Sequence, residues 1–171
     1  MVEITFGVTS KLATGEHVII WDFDHVKLDE IRKILESKAL TSHLPKIYIL
    51  ETSPGNYAAI SLARCKFSSA FRVVFGTPNV DDNFLNVALD QGYFTLRIGP
   101  KNGYIPRLAT VIDTSYEDES SIKDLINWVF YYTEEPYKGE DIPISVGNNS
   151  ALVWAFQLQL EAILQDNWNR R

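Results

Sequence analysis

A single cysteine, a single methionine and no apolar run near the ~20 residues that span a bilayer set the first limits on this 171-residue chain. Cys65 alone can form no internal disulfide, and no Cys/His grouping has the spacing of a zinc site. The start, Met1-Val2-Glu3-Ile4, lacks the basic and apolar regions of a secretory leader, so the expectation is an intracellular, cytoplasmic protein with no membrane partner. An excess of basic charge is missing too: 16 Lys and Arg stand against 22 Asp and Glu, a net charge of −6. That balance argues against a broad electrostatic grip on DNA or an anionic membrane, though not against a local basic groove. Internal repeats, low-complexity tracts, a Walker A loop, a dinucleotide fingerprint, Gly-x-Ser-x-Gly and His-Glu-x-x-His are all absent.

What remains is the composition of a globular domain, 46% apolar and 22% charged. A chain of this size buries about 70% of its unfolded surface and needs no staple to hold a core. It reads as one domain, with a core over residues 1–115 and a helical extension over 116–171 packed on it. The sequon Asn148-Asn149-Ser150 reads as a solvent-facing helix cap rather than a glycan site.

Short strands alternate with amphipathic helices. His17 to Asp24 is continuously apolar before it turns acidic, as in a strand covered on both faces. Leu28, Ile31, Ile34 and Leu35 follow at helical spacing, in a helix that ends near Ser37–Leu40. Lys46–Glu51 and Tyr57–Leu62 form a hairpin about the turn Ser53-Pro54-Gly55-Asn56. Helices over Phe67–Phe75 and Val80–Gln91 precede strands Tyr93–Ile98 and Leu108–Asp113. Ser121 and Asp124 form a capping-box variant opening a helix that packs Ile122, Leu125, Ile126 and Val129. A last helix runs from Ser150 to about Trp168, with Leu152, Phe156, Leu160 and Ile163 on its buried stripe. The expected fold class is α+β: an RRM-like or ferredoxin-like sheet with a split βαββαβ core, helices packed on it and two C-terminal helices.

The sharpest chemical feature is Asp22-Phe23-Asp24. Residues i and i+2 of a strand point to one side, so the two carboxylates project together. Such a pair repels unless it shares a proton or a cation, and Mg²⁺ or Mn²⁺ takes oxygen ligands of this kind. Asp113 ends a later strand in the same pattern. If the two strands are neighbours, a third carboxylate joins the pair, and three acids can hold the metal ions of in-line nucleotidyl transfer. Arg97, Lys101 and Arg107, around a Gly/Pro loop, suit the phosphate charge of a nucleoside triphosphate. Ser53 and Gly55 offer turn N–H groups to phosphate, although hairpin turns of this composition are commonly structural. His25 reads as a loop histidine, Cys65 as a packing residue, and Tyr48, Tyr57, Tyr93 and Phe94 as strand aromatics that either stack bases or fill the core.

With these stretches placed, the chain resembles the archaeo-eukaryotic primase (primase-polymerase) superfamily, in particular its small plasmid and viral replication primases. Ile19-Ile20-Trp21-Asp22-Phe23-Asp24 is similar to its first motif. Tyr48-Ile49-Leu50-Glu51-Thr52-Ser53-Pro54-Gly55-Asn56-Tyr57 is similar to its hairpin, and Val111-Ile112-Asp113 has the form of its third motif. The resemblance covers about residues 16–115. It implies that Asp22, Asp24 and Asp113 bind divalent metal and serve catalysis. It further implies that Arg97, Lys101, Ser53 and Gly55 meet the nucleotide, with a nucleic-acid template and other replication proteins as partners. Where that family carries His or Gln after the hairpin, this chain has Ala58, whose methyl group donates nothing to phosphate; impaired catalysis follows. Two other readings stay open. One is a haloacid-dehalogenase-like phosphatase with Asp22 as nucleophile and Thr52 and Asp81-Asp82 as later motifs. The other is a non-catalytic RRM-like module that binds nucleic acid or protein.

Overall fold

A computed structural model describes residues 4–132, 144–145 and 150–166. Its strands are β1 (Ile4–Thr9), β2 (His17–Asp24), β3 (Ile47–Ser53), β4 (Asn56–Cys65), β5 (Thr95–Arg97), β6 (Arg107–Ile112), β7 (Trp128–Tyr132) and β8 (Ile144–Ser145). The helices are α1 (Leu28–Thr41), α2 (Phe67–Phe75), α3 (Asp82–Gln91) and α4 (Ser150–Asp166). Two antiparallel four-stranded sheets result, ordered β5-β1-β7-β8 and β2-β4-β3-β6. The class is α+β, as the residue patterns imply.

Strand β2 is buried from His17 through Trp21 because both of its faces are covered, although it forms one edge of its sheet. Helix α2 lies along it. The Trp21 indole N–H donates to Thr77 Oγ1 at 3.0 Å, and that hydroxyl donates in turn to the Val73 carbonyl at 2.7 Å. A buried indole thus keeps a partner at the end of α2. Helix α1 buries Ile31, Leu35 and Ala39 and exposes Asp29 and Glu30, which face the positive end of its dipole. The core is continuous across both sheets. Phe94 is fully buried among Phe67, Phe71 and Phe84, while Phe156 of α4 stacks on Phe6 of β1 at a centroid distance of 4.3 Å. Phe156, Leu160 and Ile163 are the buried stripe expected of the last helix, and Leu152 is partly buried beside them. Among the described residues, no helix is long and apolar enough to cross a membrane.

The second sheet keeps the ferredoxin-like order β2-β4-β3 for the first three strands of the split unit. Its fourth strand, β6, pairs with β3 and lies at the edge opposite β2, while β5 leaves to join β1. The C-terminal segment departs further from expectation. The capping box forms, with Ser121 N–H donating to Asp124 Oδ2 at 2.9 Å, but it opens only a single 3₁₀ turn, Ile122–Asp124. The chain then extends as β7 against β1. Trp128-Val129-Phe130-Tyr131-Tyr132 is a run of β-branched and aromatic residues, and an available strand partner outweighs a local helix start. Residues 116–171 are therefore not a purely helical extension: β7 sits inside the first sheet between β1 and β8, and α4 is the one C-terminal α-helix among the described residues. Strand β1 itself gave no sequence signal, since Gly7 interrupts a six-residue strand whose partners come from far along the chain. Asn148 and Asn149 of the sequon lie outside the described residues, as do the last residues of the predicted final helix.

Candidate metal and phosphate site

Three carboxylates meet at the C-terminal end of β2. Asp22 and Asp24 share a face of the strand, Asp22 half-buried and Asp24 exposed. The third is Asp81, from the segment between α2 and α3. Its backbone N–H donates to the Asp22 carbonyl at 2.9 Å. As N-cap of α3 its Oδ2 accepts the Phe84 N–H at 2.9 Å, so both its main chain and its side chain are fixed. Each of the three offers an oxygen within 4.8 Å of the others, the one grouping of metal-capable side chains found among the described residues.

The electrostatics record the crowding. Although the residue is exposed, partial desolvation of its carboxyl, then the negative charge of Asp81 and a side-chain hydrogen bond to it, hold Asp24 above the usual carboxylate range, while His25 and Lys101 pull the other way. Two such carboxylates come together by sharing a proton or a cation. Three hard oxygen donors on rigid mounts, a strand end and a helix cap, fit Mg²⁺ or Mn²⁺ by ligand chemistry.

Two turns flank the acids. In the β3–β4 turn, Gly55 has φ +80, a conformation suited to glycine. Asn56 lies opposite Asp24 in the ladder, accepts the His25 N–H on Oδ1 at 3.1 Å, and donates through Nδ2 to Ser53 Oγ at 3.0 Å. The hairpin is thus stitched to the residue that follows the acid pair. The second turn, Lys101 to Tyr104, closes with reciprocal backbone hydrogen bonds of 3.0 and 2.9 Å and positive φ at Asn102 and Gly103, the form of a type I′ turn. A groove of about 530 Å³ runs between the turns, lined by Ser53, Pro54, Asn56, Lys101, Asn102 and Tyr104. A separate cleft of about 110 Å³ touches Asp22 and Asp81 and is walled by Phe84, Ala88, Gln91 and Thr95.

Several residues singled out in the sequence lie elsewhere. Asp113 follows β6, which is separated from β2 by β4 and β3, three strand spacings of about 4.8 Å each. Strand β6 also runs antiparallel to β3, so that Arg107 lies level with Glu51 and Ile112 level with Ile47. Asp113 therefore stands at the opposite edge and the opposite end of the sheet from Asp24. It lines a separate groove with Glu36, Leu40, Thr114 and Tyr116. The carboxylates that converge are Asp22, Asp24 and Asp81, and Asp113 is not among them. The Arg97 guanidinium donates to the carbonyls of Thr52 and Gly99, tying the first sheet to the second instead of lining the groove. Arg107 pairs with Glu51 at 3.0 Å. Phe94 lies wholly in the core and stacks no base. Burial pushes the Cys65 thiol up to about 11, as expected of a packing residue. His17 is buried against Ser10, with its Nδ1 2.8 Å from the hydroxyl, and burial lowers its pKa.

The sequence reading put Asp81 inside the helix expected over Val80–Gln91 and used it only with Asp82 as a possible later phosphatase motif; the helix instead starts at Asp82 with Asp81 as its cap, and nothing along the chain joined Asp81 to Asp22. Asp82 is exposed and outside the cluster. Among the described residues every strand of this sheet is antiparallel to its neighbours, and β2 has β4 as its one neighbouring strand, so the parallel βα neighbours of a haloacid-dehalogenase-like phosphatase are not found there. Comparison with protein-family models, curated proteins and solved structures finds no match to this chain.

Proposed function

We propose that this chain binds a nucleoside triphosphate through Mg²⁺ or Mn²⁺ held by Asp22, Asp24 and Asp81, as a primase-polymerase-like replication protein with weak or no nucleotidyl transfer. The observation that carries the reading is the convergence of the three carboxylates within 4.8 Å beside a turn that bears a lysine. Metal bound there would supply a Lewis acid against the phosphate oxygens. The protein's own part is to fix the three carboxylates, to set the Lys101 ammonium against the polyphosphate charge, and to offer the polar edge of the Ser53–Asn56 turn. The Ser53-Pro54-Gly55-Asn56-Tyr57 similarity favours a nucleotide over other phosphate compounds, and a nucleic-acid template and other replication proteins belong to the same proposal.

Weak catalysis follows from two positions. Ala58, directly across from Asp22 on β4, presents a methyl group where a phosphate donor would stand, and no carboxylate from β6 reaches the cluster. Losing a charge-assisted donor to a developing charge costs about 2–4 kcal/mol of transition-state stabilisation. A non-catalytic binding module is the competing reading.

Calorimetric titration of Mn²⁺, and then of dATP in the presence of Mn²⁺, into wild type and the Asp22→Ala/Asp24→Ala double variant tests the proposal. Metal-dependent dATP binding that the double variant loses, with its circular dichroism unchanged, supports it. Absence of binding by folded wild type removes it in favour of the non-catalytic module.

A further inference from the structure

The segment that brings Lys101 to the acids is fastened at both ends. At its start, Gly99 lies against β1: its N–H donates to the Phe6 carbonyl at 3.0 Å, and an added Cβ would lie 2.5 Å from Thr5 Oγ1 and 2.6 Å from the Phe6 ring. At its far end the fastening is Glu51. Its Oε1 accepts the Tyr104 hydroxyl and the Arg107 guanidinium, at 3.0 Å from Nη2 and 3.3 Å from Nε, while Oε2 accepts the Tyr57 hydroxyl at 3.3 Å.

One carboxylate on β3 thus gathers donors from three residues: one on the neighbouring strand β4, the first residue of β6, and the last residue of the Lys101–Tyr104 turn. Those hydrogen bonds, led by that of Tyr104 and opposed by burial, keep Glu51 below the usual carboxylate range and therefore charged at neutral pH. The Tyr104 ring also lines the groove in which Lys101 stands. A two-residue I′ turn is stiff within itself, but its placement over the end of the sheet needs an anchor, and Tyr104–Glu51 is the side-chain anchor at its closing residue.

We infer that Glu51, through Tyr104, is a positioning residue that holds the Lys101–Tyr104 turn against the acid cluster, and so sets how well the Lys101 ammonium meets the phosphates of a metal-bound nucleotide. The inference rests on the reading of Asp22, Asp24 and Asp81 as a metal–nucleotide site. It adds a residue that touches neither metal nor nucleotide and acts through Lys101.

A double-mutant cycle on the full chain tests it, with Mn²⁺ alone and Mn²⁺ plus dATP as the calorimetric probes. Lys101→Ala is expected to weaken dATP binding about tenfold and Tyr104→Phe about fivefold, and the double variant should be no weaker than Lys101→Ala alone. Glu51→Gln, which still accepts from Tyr104, should fall between wild type and Tyr104→Phe. Binding of Mn²⁺ alone should be unchanged in Tyr104→Phe and Glu51→Gln, and no weaker in the Lys101→Ala variants, which lose a cation beside Asp24. Amide exchange supplies a readout independent of nucleotide: the hydrogen-bonded Lys101 and Tyr104 amides should exchange about tenfold faster in Tyr104→Phe, with the β2–β4 ladder unchanged.

Additive losses in the cycle, or turn amides that exchange no faster, overturn the positioning role while leaving the metal–nucleotide site standing. If wild type binds no dATP with Mn²⁺, the reading of the site falls, visibly in wild type itself, and the role assigned to Glu51 falls with it.

Discussion

Strands β2 and β6 end alike in sequence, each an apolar run capped by aspartate, yet their ends are different places. The end of β2 is met by the N-cap of α3 and flanked by two turns, so that Asp22 and Asp24 acquire a third carboxylate and a nearby ammonium. The end of β6 emerges at the far corner of the sheet beside the last turn of α1, where Asp113 shares a groove with Glu36, Leu40 and Tyr116. An acid at a strand end marks only where the chain leaves the core. A site arises when independent segments deliver complementary groups to the same few ångströms, and that is a property of topology rather than of the strand.

The contrast is breakable by experiment, most strongly at the acids themselves. Asp22→Ala/Asp24→Ala should weaken Mn²⁺ binding at least about a hundredfold, since two of the three proposed ligands are gone, whereas Asp113→Ala should leave it within about twofold. Equal losses in calorimetry would put Asp113 back in the site.

Next in size is Asp81→Asn. Asparagine caps a helix as well as aspartate does, so the melting temperature should hold while Mn²⁺ affinity drops about tenfold. A large drop in melting temperature with unchanged affinity would make Asp81 a cap and nothing more.

A smaller effect lies in the pH dependence. The folded-state pKa of Asp24 is raised above its unfolded value, so between the two the folded protein binds more protons than the unfolded one. Stability of the metal-free protein should therefore fall as pH rises through that window, and Asp24→Asn should remove that part of the slope in denaturant titrations. Mn²⁺ competes with the same proton, so its affinity should fall as pH drops through the window.

The smallest effect belongs to the β6 side. Arg32 on α1 donates to Thr110 Oγ1 of β6 and pairs with Glu36, but the paired side chains are 43% and 50% exposed. Arg32→Ala should cost no more than about 0.5 kcal/mol by chemical denaturation and leave Mn²⁺ binding untouched.

How much of this was readable along the chain differs from element to element. Helix α2 matches its sequence reading at both ends, and α1 and β2 follow theirs closely, because their signals are local: apolar residues at helical spacing, or an unbroken apolar run. The turn Ser53–Asn56 was equally plain from Pro54 and Gly55. Strands β1 and β7 were not, since what makes them strands is each other. Residues near position 5 and position 131 pair across most of the chain length, and no window of neighbours contains that information. The helix expected after Ser121 failed for the same reason, its start signal being real and its continuation decided by β1.

By itself, then, the sequence determined the α+β class, the local elements with strong periodicity, the projection of Asp22 and Asp24 to one side of a strand, and the shape of the hairpin that follows Glu51. Only the tertiary structure decided which strands are neighbours. That choice carried β6 and Asp113 to the far edge, brought the cap of α3 against β2, and set Glu51 beneath Tyr104. Each is a contact between segments tens of residues apart, fixed by which apolar faces can be buried together, and local propensity carries no record of that.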